Sequence, residues 1–188
     1  MKQPLEKMTN EELWRLFPIR LTAPQDCWAD WFREERAFVR TLLPEESRVS
    51  HIGSTAVGTI WAKPIVDILV EADGGWDTVQ RRLSEGGYRL MSASDDRLSF
   101  NKGYTQEGFA ERVFHLHLRR AGDHDELYFR DYLMDHPETA RAYEAMKLEL
   151  WRRFEHDRDG YTEAKTAFVR ECTEAAKRLY AGRYEGTM

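Results

Sequence analysis

Cysteine is scarce. The 188-residue chain has two, Cys27 and Cys172, with no Cys-x-x-Cys pair and no metal-type spacing, which excludes a disulfide-stapled scaffold and a zinc ribbon. Long apolar runs are missing too. Ile68-Leu69-Val70 is bounded by an acid on each side, and no stretch reaches the length of a membrane-spanning helix. Positive charge is not massed: 28 Lys and Arg face 33 Asp and Glu, for a formal charge of −5, and the pairs Arg81-Arg82, Arg119-Arg120 and Arg152-Arg153 are scattered. A protein that wraps duplex nucleic acid needs clustered cations, so neither duplex nucleic acid nor a membrane is expected as a partner. A small phosphorylated ligand, which needs only a few cations, stays open. The opening residues MKQPLEKMTNEELWRL hold no apolar signal-peptide core, and with so few thiols a reduced, cytoplasmic setting is expected.

What is present reads as one folded domain. Apolar residues make up 41 % and charged residues 32 %, enough for a sizeable core. Residues 26–43 carry Trp28, Trp31, Phe32, Phe38, Val39 and Leu42 at helical steps, closed by Pro44, so that the aromatic stripe reads as core. Arg48–Gly53 reads as a short strand entering a Gly53-Ser54-Thr55 turn. Lys63-Pro64 then opens the densest apolar run, Ile65–Val70, a central strand whose entry tolerates proline. A helix around Trp76, Val79 and Leu83 stops at Gly86-Gly87, and strands follow at Tyr88–Met91, Arg97–Lys102 and Arg112–Arg119. The last alternates, with Val113, His115 and His117 on one side and Phe114, Leu116 and Leu118 on the other. Three helical segments close the chain, near Asp125–Asp135, from Pro137 and from Thr162. The fold class is α+β: a mixed β-sheet flanked by helices, with a core over about 20–122 and a helical C-terminal part over about 123–182.

Two places can carry chemistry. A Gly-Ser turn after a strand offers exposed N–H groups and a hydroxyl, suited to an anion; the plain alternative is a helix N-cap. Asp67 lies inside an apolar strand, where a lone carboxylate is costly to bury. It therefore faces a polar pocket or forms a salt bridge, with Lys63 as the nearest partner. The second place is His115-x-His117. On a strand both rings share one face about 6.7 Å apart, within reach of one metal or one phosphate; the plain alternative is a strand with a wet face. Lys63 and Lys165 can supply charge to a triphosphate and Arg130 a bidentate clamp, or all three are solvated surface cations.

The string HIGST…AKPIVDILV resembles the GrpB family, within the polymerase-β-like nucleotidyltransferase superfamily. PQDCWADWFREERAFVRTLL, FHLHL, FRDYLMDHPETARAYEAMKLEL and YTEAKTAFV match further family segments in the same order, from about residue 20 to residue 180. The resemblance implies a nucleotidyltransferase-like sheet in which Gly53, Ser54 and the adjoining Thr55 hold nucleotide phosphates. Asp67 then takes the place of the first metal-binding acid. The second acid position holds Leu69, which cannot ligate. Glu71 shares the strand face, but four residues put it about 13 Å from Asp67, too far to share one ion. The superfamily places a third acid on a later strand; if the Arg112–Arg119 strand lies beside the Asp67 strand, His115 and His117 take that place. One carboxylate with two imidazoles suits Mn²⁺, Zn²⁺ or Fe²⁺ better than Mg²⁺, which prefers oxygen. The family's Val-Pro-Gly after the turn reads Val57-Gly58-Thr59 here, a looser loop.

The leading expectation is an enzyme that moves a nucleoside monophosphate from a nucleoside triphosphate to an acceptor, with Asp67, His115 and His117 holding a divalent ion. The rival is an inactive nucleotide- or anion-binding module of the same fold, favoured by Leu69. A metal-dependent hydrolase on the same three side chains is the third. The acceptor and the oligomeric state are not written in the sequence.

Overall fold

The computed structural model describes residues 3–184. After a short helical turn the elements run α1 (Asn10–Leu16), α2 (Cys27–Arg40), β1 (Arg48–Ile52), α3 (Gly53–Val57), β2 (Val66–Glu71), α4 (Trp76–Glu85), β3 (Arg89–Ala93), β4 (Arg97–Thr105), β5 (Gly108–Arg119), α5 (Asp125–Asp135), α6 (Pro137–Phe154) and α7 (Arg158–Leu179). The five strands form one sheet in the order β1-β2-β5-β4-β3. β2 and β5 pair in parallel, and every other neighbouring pair is antiparallel. This is the mixed α+β architecture expected from the order of apolar patterns. No helix among the described residues is long and apolar enough to cross a membrane.

The sheet has two differently dressed faces. Val66, Ile68 and Val70 of β2 and Phe114, Leu116 and Leu118 of β5 join Trp28 and Val39 of α2 and Val79 and Leu83 of α4 in the main core. Period-two alternation dictates this, because one face collects every second residue. The aromatic stripe of α2 is core, as its helical spacing requires: Trp28 is 1 % exposed, and Trp31 and Phe32 pack against the cluster. The opposite face carries Asp67, Leu69, His115 and His117, and there α5, α6 and α7 pack. Leu69 meets Ile52 and Leu127. Val57 and Ile60 meet Phe129, Leu133, Tyr143 and Cys172.

Two element boundaries differ from the sequence pattern, and both matter for the site. β4 and β5 extend into a longer hairpin whose register shifts between Lys102 and Tyr104. Gly103 lies there at φ +92°, and a Cβ on it would sit 2.4 Å from the Arg112 carbonyl oxygen. Only glycine fits such a bulge, which re-aims the residue beyond it. α7 begins at Arg158 rather than Thr162, because the Asp157 carboxylate accepts a hydrogen bond from Gly160 N at 2.9 Å and caps the added turn. In the loop after α3, Gly58 closes the helix at φ +71°, which proline cannot adopt.

Candidate active site

Parallel pairing sets Asp67 opposite His115 and Leu69 opposite His117. The three polar side chains therefore share one face, and their ligand atoms all lie within 4.8 Å of one another. Asp67 Oδ1 stands 3.1 Å from His115 Nδ1 and 3.6 Å from His117 Nε2. The Asp67 side chain remains 28 % exposed and that of His117 26 %, so a small ligand can reach them. Among the described residues the ion-pair partners of Asp67 are these histidines; Lys63 does not form the expected direct salt bridge. Burial raises the Asp67 carboxyl, but hydrogen bonds from both imidazoles outweigh it and hold the group well below the usual carboxylate range.

Gly53 explains the turn. It opens α3 at φ +72°, and a Cβ there would lie 2.6 Å from Asp67 Oδ2. The close approach of backbone to carboxylate needs glycine on both counts. The Ser54 hydroxyl accepts a hydrogen bond from Lys147 Nζ at 2.9 Å. The Thr55 hydroxyl points elsewhere: it donates to the Ile65 carbonyl at 3.3 Å and lies 3.0 Å from His51 Nε2. With that hydroxyl proton committed, His51 Nε2–H is the donor. Burial pushes the His51 ring down to about 4, so it stays neutral. Thr55 thus ties β1 to the start of β2, and its side chain is not offered to a ligand.

His115 is held at both nitrogens. Nε2 lies 2.8 Å from the Tyr104 hydroxyl and 3.1 Å from Arg158 Nη2. A guanidinium only donates, so Nε2 accepts and the ring proton sits on Nδ1, facing Asp67. Burial pushes this imidazole down to about 4 against the pull of Asp67, with Lys63 and Arg158 adding to the depression. Ligation of a cation through Nδ1 requires that proton to move to Nε2. Tyr104 can accept it there, while Arg158 must turn away from the ring.

The helices over this face bring cations. Lys147 of α6 is 3 % exposed and also donates to the Trp61 carbonyl. Arg158 and Lys165 come from α7. The faces of three tyrosines lie under these groups: Lys63 and Lys165 at 5.7 and 4.4 Å from the Tyr161 ring, Lys147 at 4.8 Å from Tyr143, Arg158 at 5.6 Å from Tyr104. Burial and mutual repulsion push Lys63 and Lys147 down to about 7 and Lys165 to about 8, with Asp67 opposing the fall at Lys63 and Lys165 and Glu144 at Lys147. One buried and three half-buried cations against few acids form a site that favours a polyanion. A divalent ion fits the Asp67, His115 and His117 donors by type and spacing. In so positive a hollow it fits best in company with a multiply charged anion.

Of the residues singled out from the sequence, Gly53, Ser54, Lys63, Asp67, His115, His117 and Lys165 gather at one place. Arg130 does not join them. Its guanidinium bonds to Asp131 Oδ1 at 2.8 and 2.6 Å and to the His51 carbonyl at 2.9 Å, so it fastens α5 to β1 and is not the expected phosphate clamp. Sequence reasoning missed Tyr104, Lys147 and Arg158. Lys147 had a legible sign: four residues after Tyr143 and three before Leu150, it is a lone cation on an apolar helical stripe.

Fold and site together define an α+β protein with an Asp-His-His cluster on a mixed sheet, roofed by helices that carry buried cations. The chain belongs to the GrpB family, whose model, described as GrpB protein, matches residues 18–175. It is 36 % identical over 158 residues to UPF0157 protein PA4798 of Pseudomonas aeruginosa, covering 80 % of this chain and 64 % of that protein. The structure resembles that of the conserved protein GrpB from Enterococcus faecalis, with a TM-score of 0.75, 29 % identity, and coverage of 86 % of this chain and 99 % of that one. Cid1 poly(U) polymerase is a more distant likeness, 15 % identical with a TM-score of 0.45 over 77 % of this chain and 47 % of that chain, too slight to speak for activity. The chain spans about half to two thirds of the length of the first curated relatives it matches, 52 % of one and 64 % of another.

Proposed function

We propose that the chain is a metal-dependent nucleotidyltransferase, moving a nucleoside monophosphate from a nucleoside triphosphate to an acceptor. The supporting observation is the meeting of a metal-type donor set with four cations, three of which come from the distant helices α6 and α7. A bound divalent ion supplies charge neutralisation at the reacting phosphate. Asp67, His115 and His117 would hold it. Lys63, Lys147, Lys165 and Arg158, with Ser54 and the Gly53 backbone, would bind and orient the phosphate chain. The acceptor oxygen attacks the α-phosphorus, the bond to the bridging oxygen breaks, and pyrophosphate leaves. Catalysis of this kind rests on positioning and electrostatics.

A second reading, a binding module without turnover, is favoured by Leu69. That side chain is 0 % exposed and packs with Ile52 and Leu127, so the second acid position is structural here. One experiment separates the two. The protein is incubated with each nucleoside triphosphate and Mn²⁺ or Mg²⁺, and pyrophosphate and nucleotide binding are measured. Release that Asp67→Asn abolishes supports the transferase. Saturable binding without release supports the module. Orthophosphate release with no transfer indicates a hydrolase, and absence of nucleotide binding refutes all three. Bound metal compared across wild type, His115→Ala and His117→Ala tests the donor set: equal content in all, or none in any, removes it.

A further inference from the structure

The opposite end of β2 has a chemistry of its own. Glu71 lies four residues beyond Asp67, about 13 Å along the strand. It borders a cavity of about 980 Å³, near the upper end of the range for small-molecule sites. The carboxyl ends of the parallel pair β2 and β5 open toward it, the place where sheets of this kind commonly take ligands.

The cavity wall holds polar groups that the protein leaves unsatisfied. Glu71 is 3 % exposed and Ser47 4 %. Among the described residues neither Glu71 Oε1 nor Ser47 Oγ has a hydrogen-bond partner. His124 Nδ1 stands 2.8 Å from Glu71 Oε1 as an ion pair, yet no well-directed hydrogen bond completes either atom. Buried, unsatisfied polar atoms are rare and costly, and here they border open space. Beside them rises an aromatic wall. Tyr128 and Tyr184 meet edge to face at 5.0 Å, and His124 lies 5.1 Å from Tyr184. The charge of the lining is acidic on balance: Glu46, Glu71 and Asp73 stand against Arg48 and Lys177, and Lys177 is paired with Asp125 at 2.6 Å.

We propose that this cavity is a second ligand site, separate from the Asp67 cluster, for a small aromatic molecule bearing an amine. The ring would lie against Tyr128, Tyr184 and His124, and the ammonium would donate to Glu71 Oε1 and Ser47 Oγ. Burial lifts the Glu71 carboxyl above its ordinary range against the pull of His124 and Arg48, and a cation at Oε1 offsets that cost. The site stands whether or not the Asp67 end turns over nucleotides.

Two probes of equal size and opposite charge test it on the full chain: tryptamine and indole-3-propionate, titrated by calorimetry and by amide NMR. Tryptamine is expected to saturate, at least about tenfold more tightly than indole-3-propionate. Its shifts are expected at Ser47, His124 and Tyr128 and not at His115 or His117. Glu71→Gln is expected to weaken it about tenfold and Ser47→Ala about threefold. No saturation, equal binding of the two probes, or shifts confined to the His115 end overturns the proposal. So does a folded Glu71→Gln with unchanged affinity. If Glu71→Gln does not fold, the two probes on the wild-type chain and on Ser47→Ala decide.

Discussion

The two ends of β2 place an acid on the same face of one strand, and the acids behave in opposite ways. Asp67 is the more exposed, yet it lies deep in its ionised range because two imidazoles face it. Glu71 is almost wholly buried and has a histidine at 2.8 Å, yet its carboxyl is raised. Burial is the leading influence at both, and it raises both. At Asp67 hydrogen bonds from two histidines overcome it; at Glu71 the His124 imidazole, Arg48 and the Gly122 backbone do not. The contrast shows that the geometry of the partners, more than depth, fixes the charge of a carboxylate on a sheet face.

The contrast can be broken by experiment. The largest expected effect is at the charge itself. Asp67→Asn lowers pyrophosphate release about a thousandfold, while Glu71→Gln leaves it within about twofold; equal losses in a steady-state assay erase the distinction between the ends. Between them, Leu69→Ala opens a void at a 0 % exposed position and costs about 3 kcal/mol of stability in a urea titration. A cost near zero means the middle of the strand is not packed as described. Lys147→Met weakens triphosphate binding about tenfold by calorimetry, as loss of one buried charge partner does.

The pH dependence has two opposite signs. Burial and mutual repulsion bring Lys63 and Lys147 to about 7 and Lys165 to about 8, below the value near 10.4 of an unfolded lysine. Between about pH 7 and 10 the unfolded chain therefore binds more protons, and stability rises with pH, by about 1 kcal/mol or more from pH 7 to 9. A triphosphate needs the protonated lysines, so its affinity falls over the same interval and its binding takes up protons. Buffers of different ionisation enthalpy measure that uptake, and its absence means the lysines do not face the anion. The smallest effect is expected at Arg130→Gln, less than about twofold on triphosphate affinity, because its guanidinium is engaged by Asp131 and His51.

The sheet half of the site was legible in the sequence because strand chemistry is periodic. His115-x-His117 fixes a shared face by alternation alone, and an acid set inside the densest apolar run, Asp67, marks β2. The parallel pairing that joins them is not legible in local pattern, which does not show which strands are neighbours. Tyr104 stayed hidden because the Gly103 bulge breaks the two-residue period that places side chains. Arg158 stayed hidden because Gly160 reads as a break, while the Asp157 cap carries the helix through it. The engagement of Arg130 is hidden for a related reason: a neighbouring acid in sequence, Asp131, captures it, and composition does not show which cation is already taken.

The anion-facing hollow is assembled from two stretches of chain far apart in order. Residues 53–117 supply the glycine bend, the acid and the imidazoles, while residues 147–165 supply most of the positive charge. Any polyvalent occupant therefore acts as a rivet between the sheet and its helical roof. Its binding energy becomes resistance to the parting of those layers, so heat and protease tolerance record occupancy even in a variant that performs no chemistry.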